Sequence, residues 1–239
     1  MRISRIFVEQ PLVSGQQIQI SHPRAHYITH VLRLKPGDRL SVFNGLGGEF
    51  SASILSIARN RVTILPETFD PINRQSSLDV ELGLAITKND AMDTAIQKAT
   101  ELGVMSIQPL ICSRTPVRHR QLASKLDHWR KIVISACEQC GLNLAPVVNP
   151  VLPLEQWFPV AADLCLIASP GARGSIATIE GVHEQVAIAI GPEGGFTSDE
   201  INLASASNFL AINIGPRIQR SDTAAATMIA IAQSRWGDF

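Results

Sequence analysis

Apolar and polar residues alternate in short runs over the first seventy residues, and the texture then changes. Ile18-Gln19-Ile20, Arg39–Phe43 and the stretches 50–55 and 62–65 alternate or are rich in β-branched residues, the pattern of half-buried strands. Gly37-Asp38, Asn44-Gly45 and Gly47-Gly48 punctuate them, and Asn44-Gly45 between two strands predicts a hairpin. Residues 23–34 predict one short helix, with Ile28, Val31 and Leu32 on a common face. Residues 1–70 thus read as a small β-barrel, followed by a polar linker at 70–77.

From there on strands alternate with helices. Residues 80–86 predict a strand, and Asn89 or Asp90 caps a helix whose Met92, Ala95, Ile96, Ala99 and Leu102 recur at helical spacing up to Gly103. Ser106–Ile111 is the next strand, and Leu122–Cys140 is a long helix stopped by Gly141. Leu164–Ala168 and the stretches 186–190 and 209–214 are short continuous apolar runs, as in strands buried on both faces. Thr197-Ser198-Asp199-Glu200 is a capping box, and Ser221 or Asp222 caps a final Ala-rich helix that reaches Trp236. Such alternation predicts a parallel sheet covered by helices over residues 71–239.

Composition supports a chain with a real core: 239 residues, 45% apolar and 18% charged. No apolar run is long enough to span a bilayer, and the basic N-terminus lacks a signal-peptide core, so no membrane partner and a cytoplasmic location are expected. Cys137-Glu138-Gln139-Cys140 is a lone C-x-x-C inside a helix with no second pair, which reads as packed thiols, with no metal expected. Net charge is zero but unevenly spread. Residues 1–70 hold eight Lys/Arg against five Asp/Glu, whereas residues 141–239 hold four against nine. Residues 114–131 hold six basic residues and one acid, Asp127, so a polyanion partner fits the N-terminal and central parts.

Two late stretches carry the candidate chemistry. Ile190-Gly191-Pro192-Glu193-Gly194-Gly195-Phe196 and Ile214-Gly215-Pro216-Arg217-Ile218-Gln219-Arg220-Ser221-Asp222-Thr223-Ala224 each follow a strand and enter a helix. Ligands of open α/β sheets sit at the carboxyl ends of strands. The glycines let backbone approach a ligand, and the prolines stiffen the turns. Two plain strand-to-helix turns would account for the glycines, the prolines and the cap. They leave Arg217 and Arg220 unexplained, because cations are disfavoured ahead of a helix N-terminus. Arginines held there suit a phosphate or a developing anion.

These paired loops resemble the signature of the small-subunit ribosomal RNA uracil-N3-methyltransferases, of the SPOUT class of knotted methyltransferases. Gln97-Lys98-Ala99-Thr100-Glu101-Leu102-Gly103-Val104, Ala136-Cys137-Glu138-Gln139-Cys140-Gly141 and His30-Val31-Leu32-Arg33-Leu34-Lys35-Pro36-Gly37-Asp38 extend the resemblance over essentially the whole chain. It implies a PUA-like RNA-binding barrel, an α/β domain with a deep trefoil knot, a homodimer, and S-adenosylmethionine held by the knotted loops. The implied cofactor contacts are Ala168, Ser169, Pro170, Ile190, Gly191, Pro192, Glu193, Gly194, Gly195, Ile214, Gly215, Pro216, Arg217, Ile218, Arg220, Thr223 and Ala224. Two departures stand out. Family members often carry Arg after Cys-Gly, where this chain has Leu142, and Ser221-Asp222-Thr223 replaces the usual Thr-Glu-Thr.

The implied reaction is methylation of a 16S ribosomal RNA uridine at N3. That nitrogen needs a proton acceptor and a cation to steady the charge spreading onto the carbonyl oxygens. Arg220 is the candidate cation. Glu193 is a candidate base, or serves loop or dimer structure instead. Arg2, Arg5, Arg24, Arg33, Lys35 and Arg39, with Arg114, Arg118 and Arg120, are candidate contacts to RNA phosphates of the small subunit. Two other readings stay open: a nucleotide-binding transferase using the same loops for phosphate, and an inactive RNA-binding assembly factor.

Overall fold

The computed structural model describes residues 3–116 and 122–239, which fall into two compact units. The first unit runs to Gln75 and takes in Cys137–Ala145; the rest forms the second.

In the first unit, β1 (Ser4–Phe7), β2 (Ile18–Ser21), β3 (Arg39–Phe43), β4 (Glu49–Ala58) and β5 (Arg61–Asp70) form one mixed sheet in the order β1-β3-β4-β5-β2. The β3–β4 hairpin turns through Asn44-Gly45 as expected, and β1 is parallel to β3. Alternation along the strands sends Ile6, Val42, Ala52, Val62 and Ile64 into a dry core. The expected small β-barrel takes the form of a half-barrel: among the described residues, β1 and β2 do not pair with each other. Both edge strands have only four residues, while β4 carries two register shifts that bend the sheet.

The predicted helix at 23–34 is α1 (Arg24–His26) running into a π-helical turn at Tyr27–Val31. Ala25 and Ile28 enter the core, but Val31 is 60% exposed and does not share their face. The i→i+5 bond Leu32 N–H to Tyr27 O widens the turn and swings Val31 outward. Arg33 ends the segment at φ 55°, and Leu34 N–H closes onto Ile28 O.

Cys137–Ala145 joins this unit because its polar groups are claimed there. Glu138 Oε1 accepts from Phe7 N–H at 2.9 Å and from Arg24 at 2.7 Å. Arg74 donates to Gly141 O at 3.0 Å, and Asn143 donates to Ile72 O at 3.0 Å. Leu142, the departure after Cys140-Gly141, is buried in this unit.

The second unit contains β6 (Asp79–Ala85), α2 (Asn89–Glu101), β7 (Ser106–Ile111), α3 (Leu122–Cys140, its last turn lying in the first unit), β8 (Val147–Val148), β9 (Leu152–Pro153) and α4 (Leu154–Trp157). β10 (Leu164–Ala168), β11 (Gly174–Ser175), β12 (Gln185–Ile190), α5 (Ser198–Ala206), β13 (Phe209–Asn213) and α6 (Ser221–Trp236) follow. The sheet is parallel throughout, in the order β11-β13-β10-β12-β6-β7-β8, with β9 also on β7. Continuous burial along β6, β10 and β12 reflects cover on both faces. Trp157 lies flat against Gly83, where a Cβ would stand 2.4 Å from the ring, and its Nε1–H donates to Glu81. α6 buries Ala225, Met228, Ile229 and Ala232, and Gln233 donates to Leu102 O just after α2 at 3.0 Å. Met228 and Ile229 are thus buried within this unit, whereas Ala226, Ala230 and Ile231 are only half-buried.

Two expected caps differ. The N-cap of α2 is Lys88, without a side-chain cap, and that of α6 is Arg220, not Ser221 or Asp222. Ser221 is buried in the first turn, where its hydroxyl has passed the capping position.

Candidate functional site

Strand order builds the site. β10 is flanked by β12 and β13, so the loops leaving the carboxyl ends of these three strands are neighbours. They enclose a cavity of about 450 Å³. Of the expected contacts, Ala168, Ser169, Pro170, Ile190, Gly191, Pro192, Glu193, Gly194, Gly195, Ile214, Arg217, Ile218, Arg220 and Ala224 line it. Gly215, Pro216 and Thr223 do not; Gly215, at φ 103°, turns the chain instead. Phe196, Ile201, Asn213, Gln219 and Ser221 are further lining residues that were not among the expected contacts.

Local hydrogen bonds hold the loops. Ser169 N–H donates to Ile212 O at 2.8 Å, tying the first loop to β13. Gly195 N–H donates to Pro192 O at 2.8 Å, closing a tight turn that Gly195 completes at φ 68°. A Cβ on Gly191 would meet the Phe196 ring at 3.2 Å and its backbone nitrogen at 3.3 Å, so glycine lets that loop fold over without displacing Phe196. Ile190 and Ala224 form an apolar floor. At the rim Ile218 is 86% exposed and the Arg220 side chain 77% exposed, with Nε 3.8 Å from Asp222 Oδ1. Gln219 Oε1 is shielded from solvent and accepts no hydrogen bond among the described residues. A buried acceptor left so in a cavity wall is costly unless a ligand donates to it.

Glu200 makes a join that the sequence hid. The capping box is present: Glu200 N–H donates to Thr197 Oγ1 at 3.2 Å and Thr197 N–H to Glu200 Oε2 at 2.7 Å. The other carboxylate oxygen accepts from Ser113 N–H at 2.7 Å, in the loop after β7. Burial pushes the Glu200 carboxyl up, but the bonds from Ser113 and Thr197 outweigh it and hold its pKa below 4.5. Arg114 follows, donating to Gly194 O and packing its Cδ where a Gly194 Cβ would stand at 3.1 Å. Two loops far apart in sequence are thus fastened together beside the cavity.

Glu193 is exposed at the rim, and its Oε1 accepts from Lys88 N–H at 3.4 Å. Burial pushes the Cys112 and Cys137 thiols up to about 12, so neither is a ready nucleophile. Among the described residues no group of His, Cys, Asp or Glu is arranged to hold a metal.

The expected RNA contacts divide. Arg5, 11% exposed, is an internal strut: it pairs with Glu49 and donates to Leu142 O and Asn143 Oδ1, which takes it out of phosphate contact. Arg24 pairs with Glu138, Arg39 pairs with Glu67, and Arg114 serves the Gly194 loop. Arg33 and Lys35 are exposed. Arg2, Arg118 and Arg120 lie outside the described residues.

Comparison with known proteins bears on this site. A family described as RNA methyltransferase domain matches residues 74–233, and one described as RNA methyltransferase PUA domain matches residues 20–67. Ribosomal RNA small subunit methyltransferase E of Buchnera aphidicola (from Acyrthosiphon pisum) is 34% identical, with 100% of this chain and 96% of that one covered. Its counterpart in Rickettsia conorii is 35% identical, with 96% and 95% covered. A Legionella pneumophila methyltransferase solved with S-adenosylmethionine bound superposes with a TM-score of 0.96 at 36% identity over 100% of both chains. The small subunit methyltransferase E of Neisseria gonorrhoeae, also bound to S-adenosylmethionine, gives 0.92 at 32% identity over 100% of both.

Proposed function

Because the chain belongs to the RNA methyltransferase family that includes the ribosomal RNA small subunit methyltransferases E, we propose that it methylates N3 of a uridine in 16S ribosomal RNA, using S-adenosylmethionine. The cavity fits that cofactor. Its volume lies within the usual range for small-molecule sites. Ile190, Ile201 and Ala224 offer an apolar surface to a flat ring, and Gln219 Oε1 offers an unclaimed acceptor to an amine or hydroxyl. The observation that carries the reading is the convergence of three strand-end loops on one cavity with arginines at its rim. Membership of this family displaces the phosphate-transfer alternative.

When bound, the cofactor supplies an electrophilic methyl group on a sulfonium. The chain's own task is to make N3 nucleophilic and to aim it. The Arg220 guanidinium, free to reach outward from the rim, stabilises the charge that spreads onto the flanking carbonyl oxygens as the N3 proton leaves. Glu193 is the one carboxylate among the described lining residues, which supports it as proton acceptor. Fixed loops contribute alignment, an effect that reaches ~7–11 kcal/mol in well-oriented reactions. The reading includes the family's knotted loops, a homodimer, a cytoplasmic location and RNA contacts from Arg24, Arg33, Lys35 and Arg39.

Purified protein incubated with methyl-labelled S-adenosylmethionine and unmodified small-subunit particles should place label in 16S RNA. The product should block reverse transcription at one uridine, because N3 lies on the pairing edge. Label confined to protein, or to a different base, would overturn the proposal.

A further inference from the structure

Three of the chain's six histidines fall within nine residues, at 22, 26 and 30. All three are exposed, His26 and His30 on the segment formed by α1 and the π turn and His22 just ahead of it. The His26 and His30 rings stack with centroids 4.2 Å apart and planes 8° apart, and His22 meets His26 edge-on at 6.2 Å. His30 is held in place: Thr29 Oγ1 gives its hydrogen to Ala25 O at 2.9 Å and lies 2.8 Å from His30 Nδ1. Exposed Tyr27 and Val31 extend the flat apolar surface.

Charge points the same way. Residues 22–37 carry Arg24, Arg33 and Lys35 and no acid. Arg33 occupies the left-handed position that ends the segment, where glycine is the favoured residue. A bulky cation kept there at the expense of backbone strain needs a use outside the turn. The stacked rings face one another, so their nitrogens do not converge on a point as metal ligands must, and no metal group is found among the described residues. Exposed ring faces beside cations are the means by which proteins hold unpaired bases.

We propose that His22, His26, Tyr27 and His30, flanked by Arg33 and Lys35, form a platform on which unpaired bases of the RNA stack. This rests on the RNA substrate proposed above and gives the N-terminal unit a base-reading surface beyond phosphate contacts. The probe is a short unstructured oligoadenylate RNA, compared with duplex RNA of the same length, and titrated onto the full-length protein. His26→Ala combined with His30→Ala should weaken oligoadenylate binding roughly tenfold or more and leave the melting temperature and S-adenosylmethionine affinity unchanged. His26→Phe with His30→Phe should restore much of the binding, because it keeps the ring faces. Arg33→Gly should keep the turn, lower RNA affinity and reduce the salt dependence by about one counterion. Wild-type affinity in the alanine pair, equal loss in the phenylalanine pair, equal preference for duplex, or binding only with added zinc would each overturn the platform. Particle methylation by the wild type, run in parallel, separates this from the function proposal. Failure there sinks the activity, whereas normal methylation with unaltered variant binding sinks the platform alone.

Discussion

Replacing Glu200 by alanine should loosen the cofactor site without touching the cavity itself. The carboxylate, buried, accepts two backbone N–H bonds of 2.7 Å, one from Thr197 and one from Ser113. Bonds to a charged acceptor are worth about 1.5–3 kcal/mol each, and Thr197 N–H can recover part of its share from water. The net loss is about 3 kcal/mol, or roughly 6–12 °C in the melting temperature of a chain this size. The sign of the pH dependence follows from the lowered pKa. Unfolded Glu200 binds its proton more readily than folded Glu200, so its stabilisation is complete above the ordinary carboxylate range and fades as pH falls through the folded pKa. Melting curves of wild type and Glu200→Ala from neutral pH into acid should therefore converge. Calorimetric titration with S-adenosylmethionine at neutral pH should show weaker binding by the variant, because the Arg114–Gly194 contact depends on the same fastening. A stability gap that stays constant with pH, or no gap at all, would refute the reasoning.

Other substitutions separate chemistry from architecture. Arg220→Ala should abolish methylation of small-subunit particles while S-adenosylmethionine still binds, measured by label transfer and calorimetry on one preparation. Gly191→Val should weaken cofactor affinity by at least tenfold, since even a Cβ meets the Phe196 backbone and ring, and Phe196 lines the cavity. Gly83→Ala should destabilise the fold by about 1–3 kcal/mol, read from denaturant midpoints, because the Trp157 ring has no room to retreat. Cys112 and Cys137 should resist a thiol reagent at mildly alkaline pH until the protein is denatured, since burial holds both thiols near 12.

What the sequence revealed was whatever is decided locally. The Asn44-Gly45 hairpin, the capping box at Thr197, the stop at Gly141 and the buried strands all follow from residues within a turn or two of one another. The doubled Ile-Gly-Pro loops were legible as a pocket because strand ends and backbone turns are local too. Long-range choices were not. β8, β9 and β11 have two residues each, too few to show a period. Cys137–Cys140 continues the helical pattern of α3, yet together with the residues up to Ala145 it joins the first unit, where Glu138 and Asn143 find their partners. Arg5 looked like a surface cation and is buried against Glu49, for the same reason. Glu200 was recognisable as a cap, but its second partner, Ser113, lies 87 residues away. The π turn went unseen because an i→i+5 bond leaves no signature in a pattern of apolar residues.

The strand order also sets when the protein can begin to work. The central strand β12 pairs with β6 from more than a hundred residues earlier, and part of the floor of the cavity, Ala224, comes from α6, the last element made. A chain emerging from a ribosome can complete its first unit's sheet early, apart from the later 137–145 segment, but has no cofactor pocket until translation is essentially over. Premature termination before α6 should therefore yield a chain with all or part of its first unit but no complete cofactor pocket, so that truncated products cannot transfer a methyl group.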